Sequence, residues 1–273
     1  MSFLQTYKLI RKGMEPETVS TILRMTVKPS AIDQINYNDF IREIKIGHAL
    51  TLGISSLHPT FRLLQMSACH DIQVSNLNWT GIIDGAGQSA YNVAGVGVVH
   101  TPYKYCRSIS GTGHIKFDST IWNVPVYEQD CTIGYYAYND PGTVQGMGGA
   151  FTNGATNALI LRSQTTSSNL QIRLTCTTVS TGTQASGSIG IYAAKRLGSV
   201  QSGWYNTTSK VSATVAANSM SEILSFGIHG EIRNGDVVGA NTTVLNSMHF
   251  FGKYAIDLGV MKSAIENYLA KYP

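Results

Sequence analysis

In the strand-rich part of the chain, Glu128-Gln129-Asp130 is the one pair of carboxylates whose spacing suggests catalysis. On a strand, residues i and i+2 share a face, and glycoside hydrolysis needs two carboxyl groups about 5–10 Å apart across the sugar. A catalytic E-x-D-x-E strand would place a third carboxylate at position 132, where Thr132 stands. Between Asp140 and Glu222 the chain has no acidic residue at all, which removes most other candidates. The pair is therefore read as a solvated loop leading into the strand CTIGYYAY, and no enzymatic activity is expected. GAGQSA (85–90) matches the glycine spacing of a dinucleotide loop, but the following YNVAGVGVVH cannot form the amphipathic helix such a site needs. It is read as a turn. HExxH, Walker A and G-x-S-x-G patterns are absent.

Cys69, Cys106, Cys131 and Cys176 are far apart and form no CxxC or CxxH pair, so neither zinc nor any other cofactor is expected. They are read as free, mostly buried thiols. Calcium in a loop is an option only at Asp140 or Asp236. Non-covalent sugar binding asks for less: an aromatic platform and hydrogen-bonding groups around its rim. Trp79, Trp122, Trp204, Tyr205 and the Asn-rich loops offer these. A tryptophan is more often a core anchor than a platform, and Trp204, beside a polar turn, has the weakest claim to burial of the three. Lys195, Arg196, Trp204, Tyr205 and Asn206 are thus the candidate ligand-binding residues.

Composition limits the partners. Charged residues are 13% of the chain and the net charge is +4. Arg162, Arg173, Lys195, Arg196 and Lys210 fall in the window that lacks acids. A basic face there could meet an anionic glycan, nucleic acid or a partner subunit, but the plainer reading is solubilising charge on outward strand positions. No nucleic acid or membrane partner is expected. No apolar run reaches the roughly 20 residues that span a bilayer. The opening MSFLQTYKLIRKGMEPE lacks signal-peptide order, which points to cytosolic synthesis.

The elements that must position these residues are legible in outline. FLQTYKLIRK reads as a short helix closed by Gly13. After Pro29, Ser30 and Asp33 form a helix-start signal, followed by Tyr37, Phe40, Ile41 and Ile44 on one face, with Gly47 as the expected end. From about residue 61, short runs rich in Val, Ile, Thr and Tyr alternate with turn clusters, the pattern of a β-sandwich. LQIRLTCTTV places Leu170, Ile172, Leu174 and Cys176 on one face. Asp257 is the expected N-cap of a final helix carrying Met261, Ala264, Ile265, Tyr268 and Leu269. In SIGIYAAKRLGSVQSGWYNTT, Ile189, Ile191 and Ala193 should point inward. Lys195 to Ser199 should form a basic turn at a rim or subunit edge, and Val200, Ser202 and Trp204 should return.

The order of Trp79-Thr80-Gly81, a Gly-rich stretch, CTIGYYAY, GSIGIYAAKRLGSVQSGWYN, SFGIHGEIRNG and HFFGKYAIDLGVMKSAIENYL resembles the concanavalin A-like (laminin-G-like) modules of bacteriophage tail-fibre and virion-surface proteins. Asn206-Thr207 stands where those modules carry Asn-Gly, and Ile228-His229-Gly230-Glu231 where they carry I-G-A-R. The resemblance runs from about residue 30 to the end, and together with the strand pattern it implies a mainly β, antiparallel jelly-roll (concanavalin A-like) sandwich over residues 61–256. It would have helices at 1–60 for attachment or oligomerisation and a C-terminal helix at 257–273. It also implies a virion structural protein (fibre, decoration or tail-associated subunit) made in the bacterial host cytoplasm and displayed on the particle surface. Its partners would be other virion proteins, further copies in a homo-oligomer (a trimer first) and cell-surface glycans.

Overall fold

A computed structural model describes residues 13–53, 56–57, 60–75, 77–80, 97–109, 115–117, 129–139, 148–151, 158–162, 169–176, 178–183, 189–217, 226–228, 230–233, 236–240 and 244–273. Two helices lead: α1 (Pro16–Arg24) and α2 (Ala31–Leu52). Ser30 and Asp33 form the predicted capping box, each side chain bonding the other's backbone N–H. The helix does not stop at Gly47. It runs on to Gly53, whose left-handed backbone (φ 70°) closes it. Gly47 is there for packing: a β-carbon on it would sit 2.5 Å from Val260 Cγ1. The expected helix ahead of Gly13 lies outside the described residues.

The strands form two sheets. The front sheet runs β12 (Thr208–Thr214), β11 (Val200–Tyr205), β10 (Gly190–Leu197), β5 (Asp130–Ala137), β16 (Asn246–Gly252), β3 (Tyr105–Ser108) and β2 (Val98–Thr101), with β1 (Phe61–Met66) also on β16. The back sheet runs β15 (Asp236–Ala240), β14 (Gly230–Arg233), β6 (Gly148–Phe151), β7 (Ala158–Arg162), β8 (Asn169–Cys176) and β9 (Ser180–Thr183). There β13 (Phe226–Ile228) pairs with β6 and with β4 (Ile115–Phe117). Among the described residues every pairing is antiparallel except β14 with β6. A one-turn helix, α3 (Ile72–Ser75), follows β1, and α4 (Leu258–Leu269) closes the chain. The molecule is a mainly β sandwich carrying N-terminal helices and a C-terminal helix.

Both faces of the front sheet are covered, and this organises the rest. Cys131, Ile133, Tyr135, Tyr192 and Ala194 pack with Leu159, Leu161 and the predicted residues Leu170, Ile172 and Leu174 between the sheets, and Cys176 of the same face is buried with its thiol against the Thr178 carbonyl. The opposite face (Tyr136, Ile191, Ala193, Met248 and Phe250) packs on Tyr37, Phe40, Ile41 and Ile44 of α2 and on Met261, Ala264, Ile265 and Tyr268 of α4. Trp79 is in this helix-side core, edge-on to the Tyr37 ring at 4.8 Å, so it is an anchor and no platform. All four cysteines are free and buried.

A cleft where the front sheet meets the last helix

Strand β10 is where the linear reading fails. Its pairing with β5 runs from Gly190↔Ala137 to Leu197↔Asp130, and Leu197 also pairs with Val200 of β11. Lys195, Arg196 and Leu197 are therefore strand residues, and the turn is only Gly198-Ser199. Gly198 adopts the left-handed conformation there (φ 57°). Ile189 is 54% exposed and not inward. Because side chains alternate along a strand, Lys195 and Arg196 leave on opposite faces.

Arg196 goes between the sheets and is 0% exposed. Its guanidinium donates to the carbonyls of Leu174 (2.9 Å) on β8 and Val215 (2.6 Å) just after β12. It ties the two sheets together, and the expectation of a surface ligand contact is wrong for it. Tyr205 also turns towards the sandwich interior. Its ring lies 5.2 Å from Tyr192, and its hydroxyl donates to the Ile189 carbonyl at 2.7 Å. Asn206 sits in the β11–β12 turn with φ 52°. Its side-chain oxygen accepts from Ile191 N at 3.0 Å, so it pins the neighbouring strand. Asparagine tolerates this left-handed backbone, and Thr207 beside it has no positive φ, so the turn needs no glycine at that position.

Lys195 and Trp204 point the other way, and tertiary structure adds partners that were not anticipated. A cleft of about 330 Å³ is lined by Lys195 and Trp204 from the sheet, Thr207 from the turn, Leu52 at the end of α2, and Tyr254 to Gly259 leading into α4. The Lys195 ammonium lies 4.5 Å from the Tyr254 ring centroid and 6.0 Å from that of Trp204, a cation held by two aromatic faces. It donates to the Ile256 carbonyl at 2.9 Å across 61 residues of sequence. Burial pushes its pKa down to about 8, while the charge of Asp257 works in the opposite sense. Trp204 is half-buried against the helix-side core, and its indole N–H donates to Ser202 Oγ at 2.8 Å.

The cleft is braced from behind. Asp257 caps α4 as expected, with Oδ1 accepting from Gly259 N (2.8 Å) and Val260 N (3.1 Å). The Asp257 N–H donates to Nε2 of buried His48 at 3.0 Å. His48 Nδ1 lies 2.7 Å from the Ile44 carbonyl, which fixes the neutral Nδ1–H tautomer, and burial lowers its pKa. Tyr254 is held by its backbone N–H, which donates to Asp130 Oδ1 at 2.7 Å. That is where one member of the suspected catalytic pair is engaged. Glu128, Trp122, the GAGQSA turn and Asp140 lie outside the described residues. Among the described residues no group of three or more His, Cys, Asp or Glu side chains could hold a metal. No helix there is long and apolar enough to cross a membrane.

Tyr254 and Asp257 were absent from the ligand-site reading because nothing local marks them. Their only sequence signal was the Asp257 cap. A second, larger groove runs between α2 and α4, but Glu43 and Asn267 on its rim already bond each other at 3.1 Å. The chemistry is concentrated in the first cleft.

No family model matches the chain, and no curated protein matches it. Among solved structures it is similar to a mutant of Trypanosoma rangeli sialidase displaying trans-sialidase activity. The TM-score is 0.55 at 7% identity, over 88% of this chain and 39% of that one. It is also similar to domain 4 of an extracellular arabinanase from Geobacillus stearothermophilus in complex with arabinotriose. There the TM-score is 0.45 at 10% identity, over 72% and 99%. For the CBM40 module of the Ruminococcus gnavus IT-sialidase the TM-score is 0.40 at 11% identity, over 60% and 95%. At such identity the first likeness is one of fold alone, and the other two scores are too low to bear on anything further.

Proposed function

We propose that this chain is a non-enzymatic carbohydrate-binding β-sandwich, with the Lys195–Trp204–Tyr254 cleft as its sugar site. One observation carries the reading: two aromatic rings, an ammonium and a carboxylate converge on one open cleft, with the Lys195, Trp204 and Asp257 side chains held by hydrogen bonds and Tyr254 held through its backbone N–H. Aromatic faces match the apolar C–H faces of pyranose rings, and charged or hydroxyl groups at the rim bond the sugar hydroxyls. The fixed side chains keep the ordering cost of binding small. A glycan array tests it. Trp204→Ala and Tyr254→Ala should each weaken the signal about five- to thirtyfold, matching a stacking contact of about 1–2 kcal/mol. If both variants bind as the unmodified chain does, the cleft is not the site. If no glycan binds, the reading fails.

The setting is part of the proposal and rests on the sequence resemblance alone. The sandwich would be displayed on a bacteriophage particle, with the helices of residues 1–60 attaching it and further copies completing a trimer. Residues 16–52 bury their apolar face against the front sheet, so an attachment surface would have to use their outer side. Mass spectrometry of purified particles and sedimentation of the isolated chain check the setting. A protein absent from particles, or a monomer at micromolar concentration, would remove it.

A further inference from the structure

We infer that the cleft selects glycans bearing a carboxylate, with the Lys195 ammonium as the anion's partner. The inference rests on the sugar-binding reading above and names the ligand class for that site. An ammonium has three N–H donors. Lys195 gives one to the Ile256 carbonyl, and among the described residues no carboxylate lies within ion-pairing distance of it. The remaining donors belong to a half-buried cation at the wall of an open cleft, beside two aromatic rings. A lysine serving only as packing would be replaced at no loss by an apolar chain of the same length, since burying a charge without an ionic partner is unfavourable. A bound carboxylate supplies that partner.

The surrounding charges fit a monoanion. From α4, Asp257 faces the amine, but its carboxylate is engaged by two backbone N–H groups at the helix start, where the helix dipole offsets its charge. From α2, His48 is neutral, with both ring nitrogens bonded to backbone. Tyr254 and Trp204 present uncharged rings. Lys195 is the sole cation among the lining residues, and Asp257 stands beside it, so a dianionic phosphate is poorly matched. The basic window between Asp140 and Glu222 thus has a local meaning: of its two adjacent cations, one ties the sheets together and the other faces the ligand.

The probes are uronate- and sialate-terminated glycans arrayed beside the same glycans with the carboxyl group methyl-esterified, which removes the charge and keeps the ring. Sulfated and phosphorylated counterparts are included. The best pair is then titrated by calorimetry against the full chain, Lys195→Met and Lys195→Arg. The acid should bind at least about tenfold tighter than its ester, the fold-change of one charge-assisted hydrogen bond. Lys195→Met should bring the two to equal affinity, and Lys195→Arg should keep a preference for the acid. The preference should also fade as pH rises through about 8, where free Lys195 loses its proton. Acid and ester binding equally to the unmodified chain would overturn the inference while leaving the sugar site intact. A preference for phosphorylated or sulfated glycans would overturn it as well. No binding to any of these probes would overturn the inference, and no binding to the neutral glycans of the wider array as well would overturn both readings.

Discussion

Replacing Lys195 by methionine should make the protein more stable at neutral pH, in contrast to the usual effect of a half-buried substitution. The reason is the cost of keeping its ammonium charged inside the fold. A pKa held near 8 against an ordinary 10.5 corresponds to roughly 3 kcal/mol at pH 7. Water reaching the open cleft screens part of this, which leaves about 2 kcal/mol. The variant loses the hydrogen bond to Ile256, worth about 1 kcal/mol, so the net gain is about 1 kcal/mol. The pH dependence is the sharper signature. Between about pH 8 and 10.5 the unfolded chain binds a proton at this position that the folded chain has released. The unmodified protein therefore gains stability with rising pH there, and methionine does not. The advantage of Lys195→Met should be full below pH 8 and reversed by about pH 10. Urea unfolding at several pH values measures it. A difference that stays flat from about pH 7 to 10, or a variant already less stable at neutral pH, would refute the reasoning. A variant at least as stable as the parent also makes any loss of glycan binding attributable to the missing charge and not to unfolding.

Three further outcomes follow from the same geometry. Asp257→Ala removes the acceptor of two helix-start N–H groups and should cost about 1 kcal/mol in chemical denaturation, with Asp257→Asn recovering most of it. Gly134→Ala puts a β-carbon 2.2 Å from Cζ of the buried Phe250 ring and should cost about 1–3 kcal/mol, read as a lower urea midpoint with an unchanged slope. His48 is held neutral, with its pKa below the usual 6.5, so the unfolded chain takes up a proton first as pH falls. Stability should decline as pH drops below about 6.5 and continue to do so until the folded histidine titrates, and His48→Gln should flatten that part of the acid limb.

The sequence by itself determined the type of most elements, though not where each one ends. The period-two runs from residue 61, the Ser30–Asp33 capping pair and the Asp257 cap are local signals, because they report hydrogen bonds and faces within a few residues of each other. They were sufficient for a β-sandwich flanked by helices and for the buried face of β8. Tertiary structure alone decided the site. When helices cover one face of the front sheet and a second sheet covers the other, burial no longer alternates along β10, so Lys195 and Arg196 read as one exposed basic turn. Register with β5 sends one to the sandwich interior and the other to the cleft. Tyr254, Ile256 and Asp257 meet Lys195 only because β16 returns beside β5 and delivers the chain to α4 at that end of the sheet. Contacts spanning 61 residues are set by strand pairing and packing, and no neighbouring residue encodes them.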